Sequence, residues 1–166
     1  MIPVAAQYFL KIILYVGIQI FLLKNFALFN VAFCLVYVHF ILRLHSETPP
    51  LRALLLSFLS GLSVDLFYDY LGLHAAALTA LAYARQYWLQ RSDSDGGFFP
   101  DIAHNGFLWY VTYAFPLIVL HHLILFFAEV GLQLFWHTLL KVTVSSLFTL
   151  AGVLVIEYLL PQQRQT

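Results

Sequence analysis

No ionisable side chain interrupts the chain from Ala53 to Val64, and stretches of the same apolar texture recur along its whole length. As a helix this stretch would lie in a bilayer, because such segments recur along the whole chain and extend to spanning length. Six spans fit the pattern: Tyr8 to Leu23, Val31 to Leu44, Leu51 to Tyr70, Leu73 to Leu89, Phe107 to Val130 and Leu134 to Leu160. The composition agrees, with 62% hydrophobic and 10% charged residues, where a soluble domain carries about a quarter charged. The expectation is an all-α polytopic membrane protein, a six-helix bundle forming a single integral membrane domain over residues 1–166. The first two spans are short against the roughly 20 residues that cross a bilayer, so they should thin it or extend past their polar flanks.

Polar punctuation supplies the turns. Lys24, Asn25 and Asn30 mark the first, and Ser46-Glu47-Thr48-Pro49-Pro50 the second, where paired prolines stop one helix and pre-set the next. Gly72 closes the third span tightly onto the fourth. Arg91 to Gly106 is the one long polar connection and reads as a surface loop. The N-terminal segment lacks a charged start and a small-residue cleavage site, so it reads as an uncleaved first span. Placing both termini in the cytoplasm puts Arg43, Arg52, Arg85, Arg91 and Arg164 on the inner side, which is the usual bias of basic residues. Tyr87, Trp88, Trp109, Tyr110 and Tyr158 would then form an inner aromatic belt, with Tyr68, Tyr70 and Trp136 in an outer one.

Two carboxylates, Asp65 and Asp69, lie inside an apparent span, four residues apart and on one helix face. A lone Asp at the centre of a membrane helix costs at least about 2.5 kcal/mol, so a partner, a cavity or protonation is implied. Asp65 and Lys141 each lie seven residues from the outer turns at Gly72 and Leu134, roughly 10 Å deep. That depth match predicts an ion pair between them. The alternative is a protonated Asp65, or one capped by Ser60, Ser63 or water, with Lys141 snorkelling outward. Glu157 should be tied near the inner end by Lys11 or Arg85, while Glu129 at the outer end should be solvated. Ser57, Gly61 and Asp65 on the third span, and Ala76, Ala80 and Ala84 on the fourth, form small-residue stripes that predict a tight hairpin. Pro116 should bend the fifth span.

Other chemistries find little footing. The zero net charge and absence of a basic run give no electrostatic footprint for nucleic acid. Seven histidines show no metal-ligand spacing, and adjacent His121 and His122 point about 100° apart on a helix. His74 opens the fourth helix, within reach of Asp65 or Asp69 across the turn. Ser57, Ser60, Ser63, Ser145 and Ser146 sit in no nucleophile motif, and two aspartates on one helix differ from a catalytic pair brought together by two. Cys34 alone excludes an internal disulfide and reads as a core residue. The chain thus reads as non-enzymatic, without cofactor or metal.

The run GLSVDLFYDYLGLHAAALTALAYAR, preceded by the ETP turn at Glu47, Thr48 and Pro49, resembles the rod shape-determining protein MreD family in its Bacteroidetes form. The match covers Glu47 to Arg85 by motif and the remainder by architecture. This resemblance implies a non-enzymatic inner-membrane scaffold of the bacterial cell-elongation machinery. Its expected partners are an MreC-like bitopic protein, a RodA-like glycosyltransferase and its transpeptidase. Gly61, Asp65, Gly72 and His74 would be structural or partner-binding positions. The rival expectation is a small-solute-binding subunit of an energy-coupling-factor type transporter, which should have a sizeable polar cavity lined by Asp65, Asp69, His74 and Lys141. A scaffold should instead have those groups paired.

Overall fold

A computed structural model describes residues 3–25, 27–28, 31–92 and 99–159. Asn30 of the first turn and Arg164 of the inner set lie outside the described residues, as do residues 93–98 of the long connection. The elements run α1 (Val4–Ile18), a π-helical turn (Gln19–Leu23), β1 (Ala27–Leu28), β2 (Ala32–Phe33), α2 (Val38–Leu42), α3 (Pro50–Tyr68), α4 (Leu73–Ser92), α5 (Ile102–Asn105), α6 (Phe107–Val130) and α7 (Phe135–Leu159). The protein is all-α in substance, the strands forming one small antiparallel hairpin that pairs Ala27 with Phe33 and Leu28 with Ala32.

Four helical stretches are long and apolar enough to cross a membrane: Ala6–Leu23, Pro50–Tyr68, Phe107–Val130 and Phe135–Leu159. Large apolar side chains on them point outward, among them Phe21, Leu66, Leu108 and Leu147, while His39, Asp65, Arg85 and Glu157 are buried. That inversion suits a solvent of hydrocarbon and makes this a multi-pass membrane protein. α4 has the length, at 20 residues, but carries Arg85, Gln86, Gln90 and Arg91 in its second half.

The second expected span is not a helix. After the short β2 the backbone from Cys34 to Tyr37 has no regular structure, and only Val38–Leu42 is helical. Fourteen residues would make a helix of about 21 Å, too short for a core of about 30 Å. Irregular backbone at such depth needs surrounding protein, and here Cys34 to Leu42 is buried throughout.

α3 and α4 form the tight hairpin that the small residues predict, but with a different α4 face. A Cβ on Gly61 would lie 2.5 Å from Ala75 Cα and 2.6 Å from the His74 carbonyl, so the backbones touch there. Ser57, Gly61 and Asp65 are buried as expected. Ala76 is exposed and Ala80 and Ala84 only half-buried, whereas Ala75, Leu78 and Ala82 are buried. The stripe was misplaced because sequence spacing fixes which residues share a face, not which face meets the neighbour. α6 runs unbroken through Pro116. Tyr110 is fully buried, not in a belt, while Tyr158 and Trp136 are largely exposed. The long connection folds back in part: α5 lies within it and Asp101 is fully buried.

Candidate functional site

The polar groups inside the bundle form three sets of bonds, each holding a part of the backbone that a plain helix bundle would lack. The first is built on Asp65. Its Oδ1 and Oδ2 accept hydrogen bonds from the amides of His74 and Ala75, each at 3.0 Å. These amides lie in the first turn of α4, where no intrahelical partner exists and the helix dipole favours negative charge. Asp65 therefore caps a helix other than its own, and Gly61, one turn earlier, lets that helix come near enough. The turn between them needs two left-handed residues, Asp69 at φ 59° and Gly72 at φ 89°. Asp69 ends α3 with an exposed side chain.

This overturns the predicted ion pair. Lys141 Nζ donates instead to Glu129 Oε2 at 3.1 Å and lies over the rings of Phe126 and Phe33, at 4.3 Å and 4.9 Å from their centroids. Equal depth does not fix azimuth, and backbone amides close to Asp65 took the place of a distant ammonium. Ser60 and Ser63 do not cap Asp65 either, since they donate to carbonyls of their own helix, Leu56 and Leu59. Glu129 is exposed, as expected, and also accepts from Tyr70 Oη at 2.5 Å. Burial, followed by the Glu129 carboxylate, pushes the Tyr70 phenol up to about 12, so it remains a donor through neutral pH.

The second set stitches residues 31–35 to α7. Ser145 Oγ accepts from the Phe33 amide at 3.0 Å and donates to the Val31 carbonyl at 3.1 Å. One turn on, Thr149 Oγ1 accepts from the Leu35 amide at 2.9 Å, with the Phe33 carbonyl at 3.2 Å. Four helical residues rise about 6 Å and two extended residues about 6.6 Å, so hydroxyls at i and i+4 match alternate residues of a strand. α7 thereby acts as the missing neighbouring strand. Gly152 completes this face: a Cβ there would lie 2.7 Å from Cys34 Sγ. From the other side Gln19 Nε2 donates to the Cys34 carbonyl at 3.1 Å and to Tyr68 Oη at 2.9 Å. Adjacent to this seam, Tyr37 Oη lies 2.7 Å from His74 Nδ1 and 2.8 Å from His121 Nε2. The His74 ring thus bonds Tyr37, while its backbone amide, not its ring, reaches Asp65.

The third set secures the end where the arginines gather. Arg85 donates to the carbonyls of Leu42 and Leu44 and to Tyr113 Oη, which itself donates to the Leu42 carbonyl at 2.7 Å. A guanidinium and a phenol so satisfy the open C-terminal carbonyls of α2. Glu157 meets neither Lys11 nor Arg85. His39 Nε2 donates to it at 2.6 Å and takes a bond at Nδ1 from Tyr15 Oη at 2.7 Å. Arg43 lies 3.6 Å from Glu157 and 4.0 Å from Asp101, and the Ile102 amide donates to Glu157 at 3.4 Å. Three elements, α2, α5 and α7, meet on this carboxylate, and Tyr15 ties α1 to it through His39. His39 and Arg43 are four residues apart, as are Ser145 and Thr149. That spacing was the available signal, but their partners lie over 100 residues away in the chain.

Among the described residues no group of three or more His, Cys, Asp or Glu side chains is arranged to hold a metal. The cavity that includes His74 and Lys141 measures about 80 Å³, with Phe33, Tyr68, Tyr70 and Glu129 also lining it. It has room for a few waters, one of which would satisfy His74 Nε2, which has no hydrogen-bond partner among the described residues. No known protein family, curated protein or solved structure matches the chain.

Proposed function

We infer that the chain is a non-enzymatic membrane scaffold of the bacterial cell-elongation machinery, of the MreD kind. It would sit in the cytoplasmic membrane with both termini inside and organise peptidoglycan synthesis by binding an MreC-like partner, with RodA-like and transpeptidase proteins nearby. Six passes are proposed: the four apolar helices, α4, and the partly extended segment 31–44. The arginine distribution supports the orientation, since Arg43, Arg52, Arg85 and Arg91 belong to the end where α2 meets α3 and where α4 finishes.

The observation that carries the reading is the engagement of the interior charges by the fold itself. Asp65 caps α4 and Glu157 is held by His39 and Arg43 inside the bundle, while Lys141 meets the exposed Glu129 nearer the outer end. What is left for interaction is the apolar outward surface of the helices, the kind of surface on which another membrane protein docks. A solute-binding subunit finds less support, because the cavity near His74 and Lys141 is about 80 Å³, below the several hundred Å³ of common ligand sites.

The test is affinity isolation of the full chain from solubilised native membranes, read by mass spectrometry. Recovery of MreC-like and RodA-like proteins is the expected result. Recovery of transporter ATPases in their place would sink the scaffold reading.

A further inference from the structure

At the arginine-rich end, the surface between α4 and α6 holds a groove of about 490 Å³ lined by Ala84, Tyr87, Trp88, Arg91, Trp109 and Thr112. The four α4 residues follow at i, i+3, i+4 and i+7, a single helix face. The two α6 residues, three apart, face them. Along α4 the lining changes from Ala84 to Arg91 over about 10 Å, the rise of seven helical residues.

The gradient of chemistry along that length is ordered. Arg91 lies at the rim, in the last turn of α4, exposed and without an ion pair among the described residues. Trp88 and Trp109 flank it, and the Trp109 ring is stacked on Tyr113 at 5.2 Å, which lays a flat wall along α6. The floor is apolar: Ala84 leaves space, and Thr112 keeps its hydroxyl hydrogen for the Leu108 and Trp109 carbonyls of its own helix. A cation at the rim, indoles at interface level and an apolar floor repeat the order of a phospholipid from phosphate to acyl chain.

We propose that this groove is a binding site for one anionic phospholipid, its phosphate held by Arg91 and the first part of an acyl chain lying over Ala84 and Thr112 between the tryptophans. A guanidinium suits this role because its forked donors pair with phosphate oxygens two at a time. The charge of Arg91 selects this occupant over a second apolar helix, which would bury that charge without a partner.

Tryptophan fluorescence tests the site, because the chain has only three tryptophans and Trp136 lies in the first turn of α7, far along the sequence from the groove. The full chain carrying Trp136→Phe is reconstituted in phosphatidylcholine vesicles containing a fixed fraction of phosphatidylglycerol. Either lipid is supplied with brominated acyl chains. Brominated phosphatidylglycerol should quench Trp88 and Trp109 beyond its bulk fraction, with a relative association constant of roughly five, the worth of one basic contact to an anionic headgroup. Adding Arg91→Gln should bring that constant to about one, while brominated phosphatidylcholine still quenches. Arg91→Lys should retain part of the preference, as a charge without the fork. Equal quenching by both lipids before Arg91 is changed, a preference that survives Arg91→Gln, or no quenching by either lipid would each overturn the proposal. The last result would mean that protein covers the groove.

Discussion

Asp65 ties α3 directly to α4, because its two oxygens are the partners of two first-turn amides of α4. Asp65→Ala leaves both donors buried and unbonded, which should destabilise the protein by about 2–3 kcal/mol. The expected outcome is a lower midpoint in detergent thermal unfolding and less protein accumulating in the membrane. Asp65→Asn, keeping one acceptor, should fall between the two. Gly61 and Gly72 separate two uses of glycine. Gly61→Ala drives a methyl into the backbone of Ala75 and should spread the hairpin. Gly72→Ala meets open space and carries only the strain of its positive φ, about 1–2 kcal/mol. The midpoint should therefore fall further for Gly61→Ala. Tyr70 adds a pH signature. Its phenol is raised from 10 to about 12, so its contribution is whole below pH 10 and is lost as pH climbs toward 12. Tyr70→Phe should flatten that part of the alkaline limb in a melting-point series.

Among the elements, the non-helical segment 31–37 and α7 form the unit that the sequence only half discloses. That residues 31–44 lie within the protein was legible from their apolar run, and that they were too short for a regular crossing was legible from their number. Their conformation was not, because the acceptors and donors they need come from Ser145 and Thr149, side chains 112 and 114 residues away. The same two hydroxyls could equally have bonded back to their own helix, as Ser57 and Ser60 do. Thr149→Val keeps the shape and removes the stitch, leaving the Leu35 amide unpaired. It should cost about 1–2 kcal/mol, and Ser145→Ala a similar amount. The double variant should depart from the sum of the two, since both hold the same strand. Thermal unfolding of the single and double variants supplies that comparison. The hairpin of α3 and α4, by contrast, was legible at close range from Gly61, Asp65 and Gly72. Its α4 face was one residue off, because Ala75 and Ala76 are indistinguishable until the neighbouring helix is placed.

Taken as a whole, the molecule turns large apolar side chains outward along its spanning helices, and the charges set in its otherwise apolar core are engaged in capping helices and supporting irregular backbone. Pairing by depth failed for Lys141 because depth gives one coordinate of a side chain in a bundle and leaves its direction open. The long-range meeting of His39, Arg43 and Glu157 was beyond the reach of local pattern for the same reason. The proposed scaffold would keep the seam between residues 31–35 and α7 closed to exchange, whereas a solute-binding subunit would open it to water. Hydrogen–deuterium exchange of the chain in lipid nanodiscs, followed over the peptides that span Val31 to Leu44, separates the two most directly. Exchange as slow as in the middle of α6 is predicted, since Cys34 to Leu42 is buried and the Phe33 and Leu35 amides are bonded to α7. Exchange of those amides within seconds would show water at the seam and contradict the account.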